Sequence, residues 1–268
     1  MSDERPPKSE RDSGLLLMLV SMAAIAVLCL GVFAGAGFFV FRAARDVAER
    51  QEDAAVVAEK EEEYAQTANQ LRTIIKAMSD AGTYPADIVD ARGQLILSWR
   101  VELLPALDEK ELWKQFRRDE PWDGPNNRQL VARMPKVYAP PGRLATERES
   151  GQTYFRGFSH EGAFFDPKWK HPARVPTAVT AGTSHVLGIF EAGEAIEWTK
   201  PDALMWLPGK PRPTFGGLFP ERASFLAATP DGEIHAVKRS IPDAALRALF
   251  ERRHDKRPTV RFTPDMHD

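Results

Sequence analysis

The stretch YAQTANQLRTIIKAMSDAG, residues 64–82, decides how this chain folds. Tyr64, Ala68, Leu71, Ile75 and Met78 recur at heptad spacing, which lines one face of an α-helix with apolar groups. No Pro or Gly interrupts residues 43–80, which are rich in Ala, Glu, Gln and Arg, so the helix reaches far upstream. Gly82 and Pro85 stop it. Val47, Ala54 and Val57 carry the heptad more weakly toward the N-terminus, with Arg50 and Glu61 breaking its seam. The stripe from Tyr64 has two explanations. It pairs with a second copy, making a homo-oligomer through the long helix, or it packs on the domain that follows.

Upstream again, Ser13–Phe41 is an uncharged run of 29 residues. A bilayer core needs about 20 helical residues, so the run spans a membrane with tilt. It is also longer than the apolar region of a cleaved secretory signal, about 7–15 residues, and its flank is mixed in charge. An uncleaved single-pass anchor is expected, with the lipid bilayer as partner through residues 13–41. Gly31 and Gly35 fit a close helix-packing motif. Arg5, Lys8 and Arg11 before the run balance Arg42, Arg45 and Arg50 after it, so charge does not orient the span. Continuous helix from Ser13 to Ser79 would be on the order of 100 Å long.

The sequence therefore divides into a polar tail (1–12), a transmembrane helix (13–41), a helical stalk or first domain helix (42–80), a globular domain (81–256) and a tail (257–268). The formal charge of −2 over 268 residues leaves no field to recruit nucleic acid. The single cysteine, Cys29, lies in the apolar run, so the domain holds no disulfide and no thiolate.

After Gly82 short segments alternate with Pro and Gly, the texture of an α+β domain. A short strand or turn is predicted at Leu95–Ser98, and strands at Thr153–Phe158, His185–Glu191 and Ala195–Trp198. Helices are predicted near Glu109–Arg117, Asn126–Met134 and Pro242–Arg252. Ala223–Ala228 and Glu233–Lys238, joined by Thr229-Pro230-Asp231-Gly232, read as a hairpin.

Several motifs recur in one order: Asn69-Gln70-Leu71-Arg72 before Tyr84-Pro85, Leu97-Ser98-Trp99-Arg100-Val101, Asp119-Glu120-Pro121-Trp122-Asp123-Gly124-Pro125-Asn126-Asn127, Gly182-Thr183-Ser184, Glu191-Ala192, Trp198-Thr199-Lys200-Pro201 and Asp231-Gly232. Together they resemble a bacterial family known mainly from planctomycetes, domain-of-unknown-function family 1559, described as pseudopilin-like. The resemblance covers roughly residues 65–253 and implies a long N-terminal helix packed on a small antiparallel sheet, outside the cytoplasmic membrane. The chain departs from the family at the start of the apolar helix, where Ser13-Gly14-Leu15-Leu16-Leu17 lacks the pilin-like processing signal. It also carries Glu221 where relatives have His, and Ala181 and His185 around Gly-Thr-Ser.

Little chemistry is legible. His160, His171, His185, His235, His254 and His267 form no zinc-binding spacing, and no nucleophile elbow or phosphate loop occurs. No catalytic site, cofactor or metal is expected. The one polar cluster is Asp119, Asp123, Asn126 and Asn127. As an oxygen-rich loop it suggests calcium, another ligand or a degenerate active site. As a turn it would have Asp123 capping the next helix and Trp122 filling the core. The expected function is structural or interaction-based, at the cell envelope.

Overall fold

The computed structural model describes residues 9–142, 151–166, 173–174, 186–202 and 204–251; within these, the side chains of residues 9–17, 19, 23–37, 40, 83–84 and 173–174 are outside the described set. The Gly182-Thr183-Ser184 motif with His185, most of the polar N-terminal tail and the tail from residue 257 lie outside the described residues.

The pattern of Ala, Glu and apolar residues yields a single helix, α1, Ser9–Asp80. Two compact units divide it, Met1–Glu61 and Glu62–Asp268. In the first, Phe38, Phe39 and Phe41 are exposed, as are Val47, Val56 and Val57. Among the described residues no helix is long and apolar enough to cross a membrane. The Ser13–Phe41 run lies within α1, with most of its side chains outside the described set.

The second unit is α+β. Its centre is a four-stranded antiparallel sheet in the order β4-β6-β7-β8, with β4 Gln152–Arg156, β6 Ile189–Glu197, β7 Ser224–Ala228 and β8 Ile234–Lys238. Two small antiparallel pairs flank it: β1 (Thr83–Tyr84) with β5 (Ala173–Arg174), and β2 (Ile88–Val89) with β3 (Leu95–Leu97). Short helices α2 (Trp99–Glu102) and α3 (Lys110–Trp113) and a final helix α4 (Asp243–Phe250) complete it.

Strand alternation sorts two cores onto the two faces of the sheet. Leu226 and Ala228 of β7 and Ile189 of β6 join Leu71, Ile74, Ile75 and Met78 of α1. Phe225 and Ala227, with Phe190 of β6, join Phe158, Phe215 and the Leu246, Leu249 and Phe250 face of α4. The sheet is covered on both sides, and β7 is buried at every position. Of the two explanations for the α1 stripe, packing on its own domain is the one observed: Leu71, Ile74, Ile75 and Met78 have no exposed surface. Gly188 admits the helix, because a Cβ there would stand 3.2 Å from Ile75 Cδ1. Gln70 donates to the carbonyls of Lys136 and Ala139 at 2.9 and 2.8 Å, and Ser79 Oγ donates to Pro230 O at 2.8 Å.

The hairpin forms as read, Ser224 pairing with Lys238 and Ala228 with Ile234. Three elements differ. The helix expected at Asn126–Met134 is a 3-10 helix, Asn127–Arg133, and the one expected from Glu109 is only Lys110–Trp113. The segments His185–Glu191 and Ala195–Trp198 are one strand, β6, which runs through Gly193 because Thr214 O accepts the Gly193 N–H at 2.8 Å.

Removing α1 should thus open one whole core. A chain of residues 81–256 is expected to be aggregated or molten, whereas one beginning at Ala58 melts cooperatively. Leu71→Ala in the longer chain should cost about 2–5 kcal/mol in chemical denaturation. Cooperative unfolding of the 81–256 chain at the same temperature as the longer one would contradict this packing.

Candidate functional site

The loop at 119–127 is organised by Asn127, which is fully buried. Its carboxamide Nδ2 donates to Arg117 O at 2.8 Å and Glu120 O at 2.9 Å, and its Oδ1 accepts the Arg117 N–H at 2.9 Å. The carboxylate that caps the following 3-10 helix is Glu120. Its Oε1 accepts the Asn126 and Asn127 amides at 2.6 and 3.0 Å. Asp123, expected in that role, is exposed, as is Asp119. The restraint of Pro121 and Pro125 places Glu120, one residue after Asp119, over the helix start. Among the described residues no group of three His, Cys, Asp or Glu is placed to hold a metal ion.

Trp122 is partly buried against the core, its amide donates to Ile96 O at 2.8 Å, and Lys200 Nζ lies 5.2 Å over its ring. Thr199 O accepts the Ser98 amide at 2.9 Å. Trp198 is buried, donates its indole N–H to Val131 O at 2.8 Å, and packs edge-on to Phe116 and stacked on Tyr138. Three motifs distant in sequence, at 97–101, 119–127 and 198–201, therefore meet as one packing joint. Trp99 belongs to it too, stacked on Phe165 at 4.8 Å.

Behind that joint is a charged network that sequence reading missed. Arg100, on α2, is fully buried. Its guanidinium donates to Phe155 O, to Ser98 Oγ and to Asp202 Oδ2, the last at 3.0 Å. Asp202 also takes both Nε and Nη2 of Arg156, at 2.9 and 2.8 Å. Asp87 turns its carboxylate onto two backbone amides, Trp99 N at 2.7 Å and Asp202 N at 3.1 Å. Burial pushes that carboxyl up to about 7, and the Asp202 charge adds to the rise, while the amides and Arg100 oppose it. Burial lowers the Arg100 guanidinium, against the pull of Asp202 and Asp87. The hydrogen bonds of these four charges go to one another, to backbone and to Ser98 Oγ. The signal in the sequence was a lone Arg inside the apolar run Leu95–Val101.

The open surfaces lie elsewhere. A cleft of about 640 Å³ runs beside the end of α1, between Thr73, Lys76 and Asp80, the turn at Ala106–Glu109 and the segment Arg133–Val137. A groove of about 560 Å³ shares Thr73, Lys136 and Val137 with it and reaches Glu62. Neither lining contains His, Ser or Cys. Lys76 is paired with Asp80 at 2.7 Å.

Compared with known families, residues 65–191 match a protein family of unknown function, DUF1559. No curated protein and no solved structure matches the chain. The DUF1559 segment begins in the buried stripe of α1 and contains α2, the Asn127 loop, β4 and the first residues of β6.

Three outcomes follow. Asn127→Ala should destabilise the domain by about 2–4 kcal/mol, since several buried bonds of about 0.5–1.5 kcal/mol each are lost. Asp123→Ala should stay within about 0.5 kcal/mol of wild type, and calcium should leave both melting curves in place; a calcium-dependent rise abolished by Asp123→Ala would restore the metal reading. A carboxyl raised to about 7 in the folded state contributes stability that is full below its unfolded value and fades as pH rises through about 7. The melting temperature of wild type should therefore fall from pH 5 to pH 8 more steeply than that of Asp87→Asn. Parallel curves would remove Asp87 as the source.

Proposed function

We propose that this chain is a single-pass membrane protein whose pseudopilin-like α+β domain works without catalysis, as a structural or interaction module on the outer side of the cytoplasmic membrane. The observation that carries the reading is that one helix, α1, includes both the uncharged Ser13–Phe41 run and the stripe that closes the core of the domain. The helix that carries the run thus also supplies part of the core of the domain. The recurrent motifs support the same reading, because Trp99, Trp122, Asn127 and Trp198 serve packing and backbone satisfaction. The cleft and groove beside α1 offer the surface through which such a module would meet a protein partner.

The native protein should remain in the membrane pellet after carbonate and high-salt washing, with its N-terminus intact. A reporter joined after Asp268 should be active only when it is of the kind that works outside the cytoplasm. Release of a shortened soluble chain, or activity of a cytoplasm-only reporter, would overturn the anchor or the orientation respectively.

A further inference from the structure

β8 ends the four-stranded sheet, and its outer edge pairs with no strand among the described residues. Its register against β7 is unbroken from Ser224–Lys238 to Ala228–Ile234. Thr229 N donates to Glu233 O at 3.0 Å and Arg239 N to Ala223 O at 2.8 Å, which fixes the alternation of the ladder. The odd-numbered residues therefore bond to β7. The N–H groups of Ile234, Ala236 and Lys238 and the carbonyls of Ile234 and Ala236 point the other way, and among the described residues no backbone group bonds to them.

Such an edge is a template for a further strand unless a bulge, a Pro, charges or a covering segment blunts it. β8 has no bulge and no Pro, and its one formal charge, Lys238, stands at its end. Ile234, His235 and Ala236 are only half-buried, although β7 beside them is buried at every position. Ile234 packs against the core that α1 closes, so the open edge borders an apolar rim.

The sequence beyond Glu251 contains a run that matches this edge. Thr259-Val260-Arg261-Phe262-Thr263 has Pro258 before it and Pro264 after it, and it equals β8 in length. Four of its five residues are β-branched or aromatic. Val260 and Phe262 alternate with Thr259, Arg261 and Thr263, the pattern of a strand with one covered face. The flanking prolines have no N–H to give a ladder, which restricts the run to the edge of a sheet. Its reach is sufficient. Leu249 O accepts the Leu187 amide at 2.7 Å and Ala228 O the Gly188 amide at 2.9 Å, so α4 ends where β7 finishes and β8 starts. The seven residues 252–258 span up to roughly 25 Å when extended. Passing β7 and β8 takes three strand spacings, about 15 Å.

We propose that residues 259–263 join the sheet as a strand beside β8 and parallel to it, with α4 in the crossover. Twenty residues lie between Lys238 and Thr259, more than the dozen or so that a parallel connection needs. The three outward amides and two outward carbonyls of β8 then gain partners, and Val260 and Phe262 extend the apolar rim. The tail thereby decides whether this edge is closed or free to pair with another chain.

The test is residue-level hydrogen exchange of the full-length protein in detergent micelles, compared with a chain ending at Glu251. The amides of Ile234, Ala236 and Lys238 should exchange about tenfold faster in the shortened chain, the scale of one ladder bond lost. Those of Phe225 and Ala227, which bond within the β7–β8 ladder, should stay protected in both. The full chain carrying Val260→Asp and Phe262→Asp should behave as the shortened one does, and it serves alone if the shortened chain does not fold. Equal exchange of the three amides in wild type and in these variants overturns the proposal. So does slow exchange that is lost when the full-length protein is diluted, because that assigns the added strand to a second copy.

Discussion

Leu71, Ile75 and Met78 share a face of α1 and none retains contact with water. Each buried side chain of this size is worth about 1.5–3 kcal/mol, so together they rival the net stability of an ordinary domain, about 5–15 kcal/mol. The remaining architecture follows from hiding that face. The sheet turns Ile189, Leu226 and Ala228 toward it, Gly188 thins the backbone where Ile75 arrives, and Gln70 stitches the helix to the 136–139 segment. Because β6 and β7 are then covered on one side by α1 and on the other by α4, they contain few polar side chains, and the most deeply placed of them, Glu191, bonds three backbone amides.

Three of the buried charges in this domain, Arg100, Asp87 and Glu191, are satisfied in the same way, by an opposite charge or by backbone dipoles. Arg100 meets Asp202 and two oxygens besides, Asp87 meets two amides, and Glu191 meets three. Removing one member of such a set would strand the others in a medium that cannot solvate them. These residues act as backbone-organising elements. They hold in register loops that have neither helix nor sheet to satisfy their own polar groups.

The sequence made the stripe legible because its period is local, and the hairpin legible because Thr-Pro-Asp-Gly separates two short apolar runs. It concealed what depends on distant partners. β6 reads as two strands interrupted by Gly193, yet Thr214 and Phe215, more than twenty positions away, hold it together. Asp123 reads as the cap on paper, but the folded loop brings Glu120 to the Asn126 and Asn127 amides. Arg100 and Glu191 did leave a trace, each a solitary charge inside an apolar segment. Such a residue signals a buried polar network before any partner is known.

The Ser79 hydroxyl reaches the Pro230 carbonyl across 151 positions of chain. During synthesis, α1 therefore emerges long before the strands that will cover it. Its apolar face must wait until β7 has left the ribosome, at a length of chain where intermediates are common and exposed surface invites aggregation. The nascent helix is thus a substrate for whatever machinery shields apolar segments in the cell, and the hairpin and α4 close the fold.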